Sequence, residues 1–259
     1  MVKKDFATQI WPFREYFGED MPGTLERIAQ MGFAGVELCR WFNWTDMFDK
    51  WTAEDIQAVC QRVGLKVVSS HVSYPTIFEE NLSDLIQFCH TVGMRYAIVA
   101  AVPEEQANSR EAVLGVADGF NTAAEILKAE GIRVGYHNHG FDFKPLAEDG
   151  SLPWELFFDN TNPEVVMQVD IGNALKGGAD PIHYLKKYPK RARLVHLKEY
   201  SANKPPAAIG DGEVDWKEVF EVCEELHQPE WYIIEQEEEE HDPWPSAETS
   251  LAYLRKMGW

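Results

Sequence analysis

Five histidine and acidic side chains stand where strand-like runs of the sequence end, and together they could bind a metal ion and move protons. His137 and His139 are one residue apart in RVGYHNHGFDF, and because side chains alternate across a strand, both imidazoles face the same way. Later runs end in Asp170 (VVMQVD), His196 (RLVHL) and Glu235 (WYIIEQ). This mixture of nitrogen and oxygen donors suits one divalent ion of Mn, Co, Zn or Fe better than Ca²⁺.

Strands and helices must position these residues. Along the sequence, short apolar runs alternate with longer amphipathic ones. Runs rich in Val, Ile, Tyr and Leu predict buried parallel strands at 6–10, 35–39, 66–71, 96–101, 133–138, 165–170, 193–197 and 231–236. Amphipathic patterns predict helices at 23–32, 52–64, 80–93, 109–131, 180–188, 215–226 and 246–258. Eight strands that alternate with helices predict an α/β fold, a single (β/α)₈ TIM barrel over residues 1–259. A doubly wound sheet is disfavoured because the first turn has no glycine-rich loop.

In such a barrel, loops at the carboxyl ends of the strands carry the chemistry, so the five side chains would converge there. A single His or Asp at a strand end is more often a loop cap or a hydrogen-bonding group. Their recurrence on four consecutive strands is what favours a metal site.

Composition excludes several classes of partner. The formal net charge is −19, and no stripe of Lys or Arg is present, so we expect no nucleic-acid partner. No run approaches the roughly 20 apolar residues of a membrane span, and the first residues lack the pattern of a signal peptide. The four cysteines are scattered without a CxxC pair. We therefore expect a cytoplasmic protein with reduced thiols, which could form a homo-oligomer.

The ordered motifs VGYHNH, VDIGNAL, VHLKEY, IGDGEVDW and IIEQE resemble those of the xylose isomerase-like TIM barrels. GFAGVEL and GLKVVSSH look like the second and third strands of that superfamily, so the resemblance covers nearly the whole chain. Its members include sugar phosphate isomerases/epimerases, ketose 3-epimerases, inosose isomerases and dehydratases, and endonuclease IV-type repair enzymes. The resemblance implies a metal held by strands five to eight, on His137, Asp170, His196 and Glu235.

Two positions depart from the pattern of ketose 3-epimerases. Those enzymes typically have a Glu where His137 stands and use it with the strand-eight Glu as a proton-transferring pair, and they tend to have a His where Asn173 stands. The YHNH form is more similar to the inosose dehydratase branch. The resemblance thus favours His139 as the acid or base, with Glu235 as the alternative. A supporting role for His139, holding His137 or a loop, stays open.

Further polar residues near the strand ends are candidates for substrate binding. His71 ends the third strand, where a His faces the substrate in relatives. The alternative is a core residue whose hydrogen bonds are all made within the protein. Glu37 would be costly to bury unpaired, so it binds substrate or pairs with a cation such as Arg40. Lys198 could bind substrate and stabilise an enediolate oxygen, or lie in a surface loop.

Aromatic residues follow the first two strands and could stack on sugar rings: Trp11, Phe13, Trp41 and Trp44. A role in closing the barrel or in an oligomer interface is equally open. Trp11 is our candidate for substrate binding.

These residues predict proton abstraction next to a carbonyl group of a small carbohydrate substrate. The first expectation is an isomerase or epimerase of a sugar or keto-sugar that works through a metal-bound enediolate. Loss of a β-leaving group from the same intermediate would give a lyase or dehydratase acting on keto-inositol, a 3-keto-sugar or a keto-glycoside. Unphosphorylated substrates are favoured because no phosphate cradle or Arg cluster lies near the strand ends. A non-catalytic sugar-binding barrel or subunit is a further alternative.

Overall fold

The computed structural model describes residues 5–39, 50–236 and 242–259, and the strands within them close into a barrel. The strands are β1 (Phe6–Gln9), β2 (Gly35–Cys39), β3 (Lys66–Val72), β4 (Tyr96–Val99), β5 (Arg133–His137), β6 (Val166–Asp170), β7 (Leu194–Leu197) and β8 (Trp231–Ile234). Each strand is parallel to both neighbours, and β1 pairs with β8. The predicted (β/α)₈ barrel is confirmed.

Helices surround the barrel. They are α1 (Arg14–Glu19), α2 (Met21–Met31), α3 (Ala53–Val63), α4 (Leu82–Val92), α5 (Arg110–Ala129), α6 (Pro153–Asp159), α7 (Ile171–Lys176), α8 (Pro181–Lys187), α9 (Trp216–Glu225) and α10 (Pro243–Lys256). The sequence analysis missed α1, α6 and α7, which have only six or seven residues each.

Local signals in the sequence set the ends of several helices. Thr52 and Asp55 form a capping box at the start of α3, each side chain accepting the other residue's backbone N–H. Gly64 ends α3 and Gly93 ends α4, both with left-handed backbone angles that favour glycine. The chain therefore leaves each of these helices at a fixed residue and turns towards the next strand.

The interior of the barrel has two layers. The lower layer is a small apolar plug formed by Ala7, Val68, Tyr96, Ile98, Val166, Leu194 and Ile233. The larger apolar core lies outside the strands, under the helices. The upper layer of the interior, at the carboxyl ends of the strands, is polar and is described below.

A bulge in β3 places its residues in both layers. Val36 pairs with Val67 but Glu37 pairs with Ser69, so Val68 is an extra residue on β3. Val68 joins the apolar plug, whereas Ser69 donates a hydrogen bond to Glu37 in the polar layer. The shift also brings His71 into the polar layer. Within the described residues, no helix has the length and apolar character needed to cross a membrane.

Candidate metal centre

Four side chains meet at the carboxyl end of the barrel. His137 ends β5, Asp170 ends β6, His196 lies on β7 and Glu235 directly follows β8. Each offers one donor atom, and these atoms all lie within 4.8 Å of one another. The cluster could therefore hold a metal ion with two nitrogen and two oxygen ligands.

Distances within the cluster show which atoms face its centre. Asp170 Oδ2 is 3.9 Å from His137 Nε2 and 4.0 Å from His196 Nδ1. His196 Nδ1 also lies 2.7 Å from Glu235 Oε2. All four residues are at most 4% exposed, so water does not screen their charges.

An unpartnered oxygen shows that the cluster fits a cation. Asp170 Oδ1 accepts a hydrogen bond from Asn173 N at 2.7 Å and so caps α7. Asp170 Oδ2 is buried and has no hydrogen-bond partner. A buried carboxylate oxygen without a partner is costly. A divalent ion between this oxygen and the two imidazoles would remove that cost.

Charge within the cluster is distributed unevenly. Burial raises the pKa of Asp170 to about 7, although the nearby charge of Lys198 opposes this rise. Burial alone would lower the pKa of His196, but the carboxylates of Glu37 and Glu235 outweigh it and raise the value to about 10. The hydrogen bond from His196 in turn holds the pKa of Glu235 below its usual range, against the effect of burial. A metal ion at this point would displace the proton of His196.

Glu37 supports the cluster from the opposite side of the barrel. Its carboxylate, 0% exposed, is hydrogen-bonded to Gln9 Nε2, Ser69 Oγ, Gln168 Nε2 and His196 Nε2 at 2.6–2.8 Å. Burial would raise the pKa of Glu37, but the charges of His71 and His196 lower it overall. Glu37 therefore fixes His196 through Nε2 and leaves Nδ1 facing the cluster, as carboxylates behind metal-binding histidines do.

Gln168 connects the remaining imidazoles. Its amide nitrogen donates to Glu37, so its oxygen is the acceptor for His71 Nε2 at 2.7 Å and for His137 Nδ1 at 2.9 Å. His137 therefore presents Nε2 to the cluster. His71 Nε2 also lies 3.2 Å from Glu37 Oε1, which places this nitrogen in the supporting network. The sequence analysis missed the role of Gln168; its position two residues before Asp170, on the same face of β6, was the available signal.

Asn138 fastens the ends of β5 and β6 together. Its Nδ2 donates to the Asp170 carbonyl at 3.0 Å, and its Oδ1 accepts from the Asp170 N–H at 2.8 Å. The side chain of Asn173 donates to the Asn138 carbonyl at 3.1 Å. The backbone of Asp170 is thus held on both sides by a residue that sequence reasoning did not single out.

His139 lies beside the cluster and is partly exposed, with its ring stacked on Phe141. Burial, together with the charge of Lys198, lowers the pKa of His139 to about 4, so the imidazole is neutral at pH 7. Its Nδ1 is buried without a hydrogen-bond partner. Its backbone N–H donates to Asp142 Oδ2 at 2.7 Å, and Asp142 Oδ1 accepts from Tyr136 Oη at 2.8 Å.

The predicted His, Asp and Glu residues of the strand ends lie together at the carboxyl end of the barrel. Lys198 is 7% exposed, and its charge acts on His139, Asp170 and Glu235. Trp11 lies at the end of β1, where its backbone N–H donates to Gln9 Oε1 at 3.1 Å. Arg40, Trp41 and Trp44 lie outside the residues that the structure describes.

The model of the xylose isomerase-like TIM barrel family matches residues 25–257. The chain belongs to this family. An inosose dehydratase from Geobacillus kaustophilus, similar over 95% of both chains, is 24% identical in sequence.

Solved structures are also similar in fold. A sugar phosphate isomerase/epimerase from Parabacteroides distasonis has a TM-score of 0.80 and 25% identity, over 98% of this chain and 94% of that one. The 3-keto-D-glucoside 4-epimerase of E. coli has a TM-score of 0.72 and 18% identity, over 98% and 100% of the two chains. By their names, these relatives are enzymes that modify sugars or inositol-derived ketones.

Proposed function

We propose that the protein is a divalent-metal-dependent isomerase or epimerase of a sugar or keto-sugar. The observation that carries the proposal is the unpartnered Asp170 Oδ2, which faces two imidazole nitrogens beside the neutral ring of His139. His137, Asp170, His196 and Glu235 would hold the ion, which would polarise a substrate carbonyl and an adjacent hydroxyl.

His139 would remove the proton from the carbon next to the carbonyl. A neutral imidazole can accept this proton, and Nε2 is the nitrogen available to do so because Nδ1 is buried. The ammonium group of Lys198 would stabilise the negative charge that develops on the enediolate oxygen. Return of the proton from His139 to the neighbouring carbon would give an isomer. Delivery of a proton from water to the opposite face, with release of the proton of His139 to solvent, would give an epimer.

A dehydratase is the second candidate, and two observations favour it. His137 directs Nε2 into the ligand cluster, so it is not available as a base, and proton transfer falls to His139 on one side of the centre. One base on one face suits the loss of a β-hydroxyl as well as transfer between neighbouring carbons. The similarity to inosose dehydratase along 95% of the chain supports a keto-inositol or keto-sugar substrate for this reaction.

The first experiment is elemental analysis of protein purified without chelator or affinity-column metal. We expect about one Mn, Co, Zn or Fe per chain, because one four-ligand cluster is present among the residues that the structure describes. The loaded protein is then incubated in D₂O with a panel of keto-sugars and inososes, and solvent deuterium in the substrate is followed by NMR. Products that differ from the substrate in mass only by incorporated deuterium indicate isomerisation or epimerisation, whereas products lighter by one water indicate dehydration.

His139→Gln tests the base, and His183→Gln, at an exposed position on α8, is the matched control. We expect the first variant to keep its metal and lose deuterium exchange, and the control to keep both. Metal binding and sugar affinity without exchange in the unsubstituted protein would instead support a non-catalytic sugar-binding barrel. Protein that takes up none of the metals would contradict the mechanism.

A further inference from the structure

The imidazole of His139 is held through its backbone and through its stacking on Phe141. Its Nδ1 is buried and makes no hydrogen bond with the described part of the chain. The backbone N–H of His139 donates to Asp142 Oδ2 at 2.7 Å, and its carbonyl accepts from the backbone N–H of Asp142 at 3.2 Å. The rings of His139 and Phe141 are parallel within 4°, with centroids 5.3 Å apart. All of these contacts are made by the turn Gly140–Phe143, so the place of the imidazole depends on the place of this turn.

A tyrosine on the outer face of β5 fastens the turn. Tyr136 precedes His137 on the strand, and because side chains alternate across a strand, its ring points away from the barrel interior into the outer core. Tyr136 Oη donates to Asp142 Oδ1 at 2.8 Å. Tyr136 is 3% exposed and Asp142 is 1% exposed, so water does not compete for this bond. One carboxylate therefore joins the tyrosine hydroxyl to the backbone N–H of His139.

Aromatic rings of the surrounding helices fix the ring of Tyr136. Its centroid lies 5.8 Å from that of Phe120 on α5, 5.7 Å from that of Trp154 and 5.1 Å from that of Phe157, both on α6. Phe143, the last residue of the turn, packs against the same Trp154 with centroids 5.6 Å apart. The turn is thus anchored to the packed layer between strands and helices, where side chains have little freedom to move.

We infer that Tyr136 is a positioning residue for His139, which it holds through Asp142 beside the four-ligand cluster. The inference rests on the proposed function, in which His139 removes a proton from the substrate. Proton transfer depends on the distance and direction from the base to the carbon, and a displacement of about 1 Å can lower the rate about 100-fold. The hydroxyl of Tyr136 is bonded to Asp142 and not to a candidate ligand, so its loss should leave metal binding unchanged.

Tyr136→Phe tests the inference, because it removes the hydroxyl and keeps the ring in the aromatic cluster. In the metal-loaded protein, we expect the rate of deuterium exchange at saturating substrate to fall about 10–100-fold, with KM and metal affinity unchanged. Asp142→Ala removes both side-chain bonds and should lower the rate at least as far.

Tyr188→Phe is the matched control. Tyr188 directly follows α8, and its Oη donates to Asp159 Oδ1 at 2.7 Å, a second tyrosine–aspartate bond that does not involve the turn. The two variants should lose similar stability in urea unfolding, but Tyr188→Phe should keep the exchange rate. An unchanged rate in Tyr136→Phe, or an equal loss in Tyr188→Phe, would overturn the inference.

NMR of the histidine side chains tests the position of His139 without turnover. The protein carries eight histidines, and His139→Gln identifies the signal of His139 in protein labelled with ¹³C-histidine and loaded with diamagnetic Zn²⁺. We expect this signal to move in Tyr136→Phe and to stay in place in Tyr188→Phe. A signal that does not move in Tyr136→Phe would overturn the positioning role.

The positioning role and the proposed function fail in different ways. A His139 signal that moves in Tyr136→Phe, without deuterium exchange in any substrate by the unsubstituted protein, would keep the positioning role and reject the isomerase. Exchange at equal rates in the unsubstituted protein and in Tyr136→Phe would keep the isomerase and reject the role of Tyr136.

Discussion

The two halves of the barrel contribute different chemistry to the same polar layer. Strands β1 to β3 supply Gln9, Glu37, Ser69 and His71, whose side chains are hydrogen-bonded within the layer. Strands β5 to β8 supply the four candidate ligands, and there Asp170 Oδ2 is left buried without a partner. The first half, the scaffold half, is therefore complete in its hydrogen bonds, whereas the second half, the ligand half, would be completed by a cation.

The scaffold half orients side chains of the ligand half through specific hydrogen bonds. Glu37 is hydrogen-bonded to His196 Nε2. Glu37 also accepts from the side-chain nitrogen of Gln168, and this bond orients the Gln168 oxygen that accepts from His137 Nδ1. Both imidazoles of the candidate site are thereby held in the orientation that a metal ion would need. Preorganisation of this kind would raise metal affinity because less ordering is needed on binding.

The largest effect is expected from removing a charge in the ligand half. Asp170→Asn keeps an oxygen that can cap α7, so the fold should persist, but the cluster loses an anionic ligand. We expect metal affinity to fall by more than about 100-fold, beyond the range found for supporting residues, and turnover to be lost. Metal titration followed by calorimetry measures this.

Asp180→Asn is the matched control, because Asp180 caps α8 in the same way and lies outside the site. Equal metal affinity in Asp170→Asn and Asp180→Asn would show that Asp170 is not a ligand.

A smaller effect is expected from the scaffold half. Glu37→Gln replaces one accepting oxygen with an amide nitrogen that faces a donor, and it removes the charge beside His196. We expect metal affinity to fall about 10–100-fold, and stability to fall by about 1–3 kcal/mol. Urea unfolding and metal titration measure the two losses. Reduced stability with unchanged metal affinity would show that Glu37 supports the fold and not the ligands.

Asn138 tests the connection between β5 and β6. Asn138→Ala leaves the N–H and carbonyl groups of Asp170 without their side-chain partners, which should cost about 1–3 kcal/mol and weaken metal binding by about tenfold. Asn121→Ala removes a similar pair of backbone contacts on the outer surface of α5. A loss of metal affinity equal in both variants would contradict a positioning role for Asn138.

The sequence predicted the ligand half of the layer better than the scaffold half. Regular alternation in β5 to β7 places His137, Asp170 and His196 on the inner face. Glu235 lies just past β8 but stays in phase because its N–H continues the ladder to Leu197. All eight strands were predicted with ends within two residues of their positions in the structure.

The scaffold depends on features that a single sequence does not display. The bulge at Val68 has no glycine or other local signal, yet it sets which residues of β3 face inwards. The partners of Glu37 are also distant in sequence, with His196 159 residues away. The cost of burying Glu37 was predictable, but the identity of its partners was fixed only when the barrel closed.

Two supporting carboxyl groups, Glu37 and Asp142, have pKa values that are shifted in opposite directions. The pKa of Glu37 is lowered since histidine charges outweigh burial. Burial raises the pKa of Asp142 to about 7, because its partners, the His139 N–H and Tyr136 Oη, lower it less than burial raises it. Asp142 therefore keeps its proton in the folded protein at pH values where the unfolded chain has lost it.

The smallest effect is expected from Asp142→Asn, which cannot titrate. Its amide oxygen can still accept from the His139 N–H, and its amide nitrogen can donate to Tyr136 Oη in place of the present bond. Between about pH 4 and 7 the folded state binds the proton of Asp142 more tightly than the unfolded state, so this contribution to stability is full below about pH 4 and is lost as pH rises through about 7. The difference in unfolding free energy between wild type and variant should thus fall with pH, by at most about 1.4 kcal/mol per pH unit, and level off above pH 8. Urea unfolding from pH 5 to 8 measures this difference, because groups common to both proteins cancel. A difference that stays constant over that range would mean that Asp142 is ionised when folded, and the contrast with Glu37 would disappear.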